Sequence, residues 1–231
     1  MPIPRYLAMT PGEFESVRPL PPSPGWMACR FSPHGQGLRD LPRQLPPGAL
    51  LILNDSLPMT VQDPQEILRQ LTEAVKALGI RALLLDFERT GNPSQQALAK
   101  LLTEALPCPL AVSEPYAEDL PGPVFLSPVP PDRLPEAHLA RWPHREKWLE
   151  LAGTRRQLTV TEQGTRISDA ADTGPLPFSH SPLHCHYRIE AAEDRICFTL
   201  GRTRSDQQAL LEEAEALGVT AAVGLWQEFG V

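Results

Sequence analysis

Residues 81–91 read RALLLDFERTG. An alanine and three leucines run straight into Asp86, Phe87 and Glu88, and Arg89-Thr90-Gly91 breaks the run. A nearly continuous apolar run of this length is the pattern of a parallel strand buried on both faces. Positions i and i+2 of a strand share a face, so Asp86 and Glu88 point one way and Phe87 the other. The fold turns on whether such strands recur, and the chemistry on where those two carboxylates point.

Strand-length runs do recur. They are residues 26–31 (WMACRF), 49–54 (ALLILN), 109–114 (PLAVSE), 123–129 (PVFLSPV), 157–162 (QLTVTE), 195–200 (RICFTL) and 221–226 (AAVGLW). Capped helical patterns lie between many of them. Asp63, Pro64 and Glu66 open one helix, Ile67, Leu68, Leu71, Val75 and Leu78 form its apolar face, and Gly79 closes it. Asn92, Pro93 and Gln95 open a second, and Ser205 with Gln208 a third that stops at Gly218. The segment 144–152, HREKWLELA, predicts a further helix.

Strand, capped helix, strand is the grammar of a parallel sheet with crossover helices. Seven or eight strands in a chain of 231 residues predict an α/β fold, a closed (β/α)8 TIM-type barrel, with an open doubly wound sheet as the runner-up. No glycine-rich phosphate loop follows an early strand, so a dinucleotide site is not indicated. Two features depart from strict alternation. The first fifty residues are too Pro-rich for a regular βα unit, and residues 185–200, CHYRIEAAEDRICFTL, predict an inserted β-hairpin before the last helix. A second hairpin is expected over residues 159–168, turning at Gln163-Gly164. The 27 prolines gather between periodic segments, as stiff connections do. With neither a linker nor a solenoid repeat, residues 1–231 read as a single barrel domain.

Composition excludes several classes. A net charge of −7 argues against nucleic acid, whose binding rests on Lys and Arg neutralising phosphates. No apolar run reaches membrane-spanning length and the N-terminus lacks a signal-peptide core, so no membrane is expected and the expected compartment is the cytoplasm. Cys29, Cys108, Cys185 and Cys197 lack metal or redox spacing and read as reduced, packed thiols. No GxSxG elbow is present, and no cofactor is indicated. The oligomeric state stays open.

Barrel enzymes carry their chemistry at the C-terminal ends of the strands. The polar residues there are Asn54 and Asp55, Asp86 and Glu88, Glu114 and Tyr116, Ser127, Glu162, and Gln227 and Glu228. If Asp86 and Glu88 face inward, repulsion raises the pKa of one of them and keeps it protonated as a general acid. Pairing with Arg81 or Arg89 is the structural alternative.

The succession GIRALLLDFE, capped helix, PLAVSEPYA resembles the fourth and fifth strands of glycoside hydrolase family 18, the chitinase-like barrels. In that family the fourth strand ends in DxxDxDxE, whose Glu is the acid/base and whose last Asp orients the substrate's N-acetyl group. The resemblance puts Glu88 and Asp86 in those roles. It makes GALLILND the third strand and AAVGLW the eighth, with Trp226 at the floor of the sugar site and Tyr116 and Gln227 lining it. The layout extends over residues 48–230. The departures are specific. Arg81 and Leu84 occupy the two earlier acidic positions, Ser127 and prolines stand where the sixth strand carries Tyr-Asp, and Leu53-Asn54-Asp55 replaces the small-residue third-strand motif. Substrate-assisted hydrolysis needs a group that holds the acetamido oxygen against the anomeric carbon. Tyr116, Asn54, Asp55 and Glu228 are the candidates for it. Two readings follow: a reduced glycosidase acting on an N-acetylated glycan, and a non-catalytic barrel that binds a carbohydrate or a protein.

His180, His184, Cys185 and His186 lie within seven residues. They are weak candidates for metal ligands, since no carboxylate or further Cys sits at a familiar spacing, and no metal is expected. Trp142 and Trp148 read as helix anchors and Trp26 as core.

Overall fold

The computed structural model describes residues 3–56, 60–171 and 174–230. They form two compact units. The first comprises residues up to Ser127, His144–Glu150 and the chain from Thr220; the second comprises Pro128–Pro143 and Leu151–Val219. In chain order the strands are β1 (Arg5–Met9), β2 (Pro24–Phe31), the two-residue β3 (Leu38–Arg39), β4 (Leu50–Asn54), β5 (Ala82–Asp86), β6 (Leu110–Ser113), β7 (Val124–Leu126) and β8 (Lys147–Leu151). There follow β9 (Arg156–Thr161), β10 (Gly164–Asp169), β11 (Phe178–His180), β12 (Cys185–Ala191), β13 (Arg195–Gly201) and β14 (Val219–Leu225). The helices are α1 (Pro11–Ser16), α2 (Pro64–Leu78), α3 (Pro93–Ala105), α4 (Pro135–Leu139), α5 (Arg204–Ala216) and α6 (Trp226–Phe229).

Eight strands close a parallel barrel in the order β1, β14, β8, β7, β6, β5, β4, β2, and β2 returns to β1 through Leu7, Ala8 and Met9. The expected TIM-type barrel is therefore present. Its lumen is filled by alternate residues: Tyr6 and Ala8, Leu50 and Ile52, Ala82 and Leu84, Ala111, Phe125, Trp148, Ala221 and Val223. Tyr6 and Trp148 stack with ring centroids 5.8 Å apart. Small residues on some strands make room for large rings from others, which is how a barrel of this size reaches interior density.

On the outside of the barrel α2 packs against α3, and α3 against β6. Asp63 caps α2 by accepting the Glu66 N–H at 2.9 Å, Ile67, Leu71 and Val75 are buried, and Gly79 ends the helix in the left-handed region at φ 62°. Asn92 caps α3, with Pro93 following and Leu98, Ala99 and Leu102 buried.

Three expectations need correction. Residues 144–152 do not form a helix; Lys147–Leu151 is the seventh barrel strand, β8. Its period is two: Trp148 points into the lumen and Glu150 follows on the same face. The Pro-rich first fifty residues, though irregular, hold two full barrel strands, with α1 between them capped by a Thr10–Glu13 box. The runs at 157–162 and 195–200 are not barrel strands.

Those runs belong to the second unit, whose five-stranded antiparallel sheet runs β10, β9, β13, β12, β11. The inserted hairpin β12–β13 is thus present, within a larger sheet that also includes the β9–β10 hairpin. The last long helix, α5, begins two residues earlier than the sequence suggests. Thr203 and Asp206 form its capping box. Arg202, just before it, donates to the carbonyls of Val129, Pro130 (3.2 Å), Leu183 (3.0 Å) and His184 (2.9 Å), drawing this unit's two chain segments together.

Leu84 is 1% exposed in the lumen layer. Leu84→Ala is expected to cost about 2–5 kcal/mol of stability, read as a lower urea midpoint at unchanged slope. Leu225→Ala, at a position 37% exposed, is expected to shift the midpoint by far less.

Candidate active site

Continuing each strand's lumen-facing parity by one more residue pair gives the layer at the barrel mouth: Asn54 on β4, Asp86 on β5, Ser113 on β6, Ser127 after β7 and Glu150 on β8. The apolar lumen ends here and polar groups begin. Phe87 fixes the turn out of β5. It is fully buried, 5.7 Å from the Phe31 ring and edge-on to Tyr116 at 5.6 Å. With Phe87 anchored on the outer side, Asp86 and Glu88 lie to either side of it, Asp86 half-buried and Glu88 exposed.

Two side chains hold this turn from neighbouring strands. Ser113 Oγ donates to the Leu85 carbonyl at 2.8 Å and accepts the Phe87 N–H at 3.0 Å. Asp55 is 3% exposed, and its two oxygens accept the N–H groups of Glu88 (3.1 Å) and Arg89 (3.2 Å). Asp55 therefore positions Glu88, and its acceptors already face backbone.

The mouth is strongly acidic. Burial, then the charges of Glu88 and Asp55, pushes the Asp86 carboxyl up to about 6. Burial, then Asp86, Glu88 and Glu228, pushes Glu150 up to about 7. Among the described residues no cation forms an ion pair with Asp86, Glu88 or Glu150. Near neutral pH such carboxyls exchange protons readily, which suits them to donating a proton to a leaving oxygen or stabilising a developing cation.

Other sequence candidates fall elsewhere. Tyr116 is 2% exposed, and its hydroxyl meets the Arg89 carbonyl and the Gln95 side chain (2.8 Å), bracing the turn after β5 from behind. Asn54 Nδ2 donates to the Met27 carbonyl at 2.9 Å, and its Oδ1 accepts the Ser56 N–H at 3.2 Å. Trp226 opens α6, and its indole lies against the Gly230 backbone. Gln227 and Glu228 on the same short helix are exposed. Glu162 lies at the β9–β10 turn of the second unit.

The histidines are engaged within the second unit. His184 Nε2 meets Glu213 at 2.6 Å and His186 Nδ1 meets Asp206 at 2.7 Å, both on α5, while His180 is exposed on β11. Among the described residues no three His, Cys, Asp or Glu side chains are grouped as a metal would need.

Glu150 was missed from the sequence. Pro143, which breaks a helix just before KWLEL, was the available signal.

A scan against protein-family models and a search of curated proteins both find no match. Solved structures do match in fold. The chitinase-like agglutinin RobpsCRA of Robinia pseudoacacia aligns over 95% of this chain and 93% of its own, at TM-score 0.60 and 11% identity. The family 18 chitinase of Cycas revoluta, solved in complex with (GlcNAc)3, aligns over 95% and 94% at 0.56 and 12%. Human YKL-39, described as a pseudo-chitinase with retained chitooligosaccharide binding, aligns over 96% and 92% at 0.55 and 11%. The chain has the barrel of the chitinase-like proteins.

Asp86 and Glu150 both titrate above the ordinary carboxylate range, so folding favours their protonated forms. The stability they contribute is fully present below the unfolded-state pKa values and is lost as pH rises through about 6 and about 7. Glu150→Gln is therefore expected to raise Tm above wild type at alkaline pH, the two melting curves converging in acid. Asp55→Ala removes the acceptor of two backbone N–H groups and is expected to cost about 1–3 kcal/mol, read by chemical denaturation.

Proposed function

We propose that the barrel mouth binds an N-acetylated glycan, with Glu88 as the acid/base and Asp86 beside it orienting the N-acetyl group. The observation that carries this reading is the pairing of Asp86, held up to about 6, with the exposed Glu88 two residues on, in a fold shared with chitinases. Trp226, half-exposed at the end of β14, is the surface on which a sugar ring would stack. Tyr116, Asn54 and Asp55, three of the candidates for holding the acetamido group, already serve internal hydrogen bonds; the fourth, Glu228, is exposed on α6.

That same engagement favours a second reading, a barrel that binds the glycan without cleaving it. With Tyr116, Asn54 and Asp55 committed to the fold, substrate-assisted cleavage loses three of the groups that could press the acetamido oxygen onto the anomeric carbon. A carboxyl-rich mouth can still hydrogen-bond sugar hydroxyls.

Two assays separate the readings. Calorimetric titration with short N-acetylglucosamine oligosaccharides is expected to show binding that Trp226→Ala weakens by roughly tenfold, about 1.4 kcal/mol. Fluorophore release from labelled oligosaccharides is then measured for wild type and Glu88→Gln. Release that disappears in the variant establishes hydrolysis through Glu88. Binding with no release from either protein selects the non-catalytic barrel, and absence of both overturns the proposal.

A further inference from the structure

The antiparallel sheet of the second unit carries a cavity of about 490 Å³ on its polar face, lined by the side chains of Gln157, Thr159, Glu190, Arg195 and Cys197. Strand register accounts for its shape. Directly paired residues of an antiparallel sheet lie on the same side, so Thr159, Cys197 and Glu190 form one row across β9, β13 and β12. Gln157 and Arg195 stand two residues from Thr159 and Cys197, on the same face and to either side of that row. Thr159 and Cys197 are short and make a floor, while Gln157 and Arg195 are long and make walls. At the hairpin end the lining is only Ala191 and Ala192, where the Ala192 N–H donates to the Arg195 carbonyl at 2.9 Å.

The lining is rich in donors that the fold does not use. Among the described residues the Arg195 guanidinium and the Gln157 amide make neither a side-chain hydrogen bond nor an ion pair. Thr159 Oγ1 lies 3.6 Å from Cys197 Sγ, a contact that leaves the hydroxyl able to bond once more. The one acid of the lining is answered, since Arg188 Nε lies 3.0 Å from Glu190. Glu193 and Asp194 of the hairpin turn do not line the cavity. Asp and Glu outnumber Lys and Arg by 28 to 21 in this chain, yet none of them pairs with Arg195.

We propose that this cavity binds a small organic oxyanion, a sugar-sized molecule bearing a carboxylate or a phosphate, with Arg195 holding the oxyanion and Gln157 and Thr159 hydrogen-bonding the body. The guanidinium fork matches either oxyanion with two parallel N–H donors, and no charge on the lining is left to compete for it. Size argues against a bare ion: the cavity falls in the range of roughly 300–1,000 Å³ that takes organic ligands. Lining chemistry argues against an apolar or aromatic body, because the floor and walls offer a hydroxyl, a thiol and an amide and no large apolar side chain. Every lining residue belongs to the second unit, so the proposal does not depend on the glycan reading of the barrel mouth.

The test uses the full chain and three probes on one hexose frame: glucose 6-phosphate, glucuronate and neutral glucose, titrated by calorimetry at constant ionic strength. At least one of the two anions is expected to bind saturably and glucose is not; which anion binds tells phosphate from carboxylate. Arg195→Gln is expected to weaken that binding by about tenfold or more, the loss of one charged hydrogen-bonding partner. Arg166→Gln is expected to leave it unchanged, because Arg166 shares the face through its pairing with Thr159 but does not line the cavity. The bound anion is also expected to slow alkylation of the half-buried Cys197 by iodoacetamide while leaving Cys108 as an unaffected reference. Binding of neither anion overturns the proposal, as does glucose binding as well as they do. Equal losses in both arginine variants, or binding that leaves Cys197 alkylation unchanged, place the anion elsewhere and overturn it too.

Discussion

A closed barrel of eight strands encloses a space that only side chains can fill, and that requirement governs the rest of the first unit. The lumen is filled by contrast in size. Tyr6, Phe125 and Trp148 reach inward from β1, β7 and β8, while Ala8 on β1 itself and Ala82, Ala111 and Ala221 on three other strands yield room. Swapping a ring for an alanine on one strand would leave a void that no neighbour could collapse into, because each strand is held on both sides by its ladder. Five-residue β1 carries much of this burden. It supplies one ring of the Tyr6–Trp148 stack and bonds to both β14 and β2, so closure and filling meet in the same short segment.

Filling ends abruptly at the mouth, where the same inward parity turns from Leu84 to Asp86 and from Trp148 to Glu150. A carboxylate one layer above an apolar core is half out of water and poorly screened from its neighbours. Asp86 and Glu150 therefore resist ionisation. Holding both carboxyls there opposes stability at neutral pH, and among the described residues no cation is paired with Asp86 or Glu150. Concentrated, uncompensated acid at the open end of a barrel is the kind of local conflict that marks a working surface.

How much of this was legible beforehand depended on local pattern. The strands 82–86, 110–113 and 50–54 announced themselves as unbroken apolar runs, and α2 and α3 by cap, proline and apolar face. Strand β8 did not, because Trp148, Leu151 and Ala152 also fit a helical spacing and the strand's two faces are both largely apolar. Glu150 was lost with it. Strand β1 was too short and too close to prolines to separate from the irregular start. At the mouth, the sequence put Asp86 and Glu88 on one side and Phe87 on the other; the Phe87 ring is buried, and β5 ends at Asp86, so Glu88 stands beyond the strand. It had no means of seeing that Asp55 and Tyr116 face inward to the backbone, because a hydrogen-bond partner thirty residues away leaves no periodic trace.

The turn after β5 shows how a polar residue's role is set by what it can still reach. Asp55, Ser113 and Tyr116 are polar groups of the same mouth as Glu88, yet each is hydrogen-bonded to the backbone of residues 85–89. Three polar residues immobilise one short segment so that a fourth, Glu88, stands in a defined place with its carboxylate exposed. Precise placement of a reacting group demands that its supports be rigid, and a support bonded to the backbone it holds is turned away from a ligand. The polar residues at this mouth thus divide into those that build the turn and those, Asp86 and Glu88 and Glu150 among them, that are left to set the acidity of the open end.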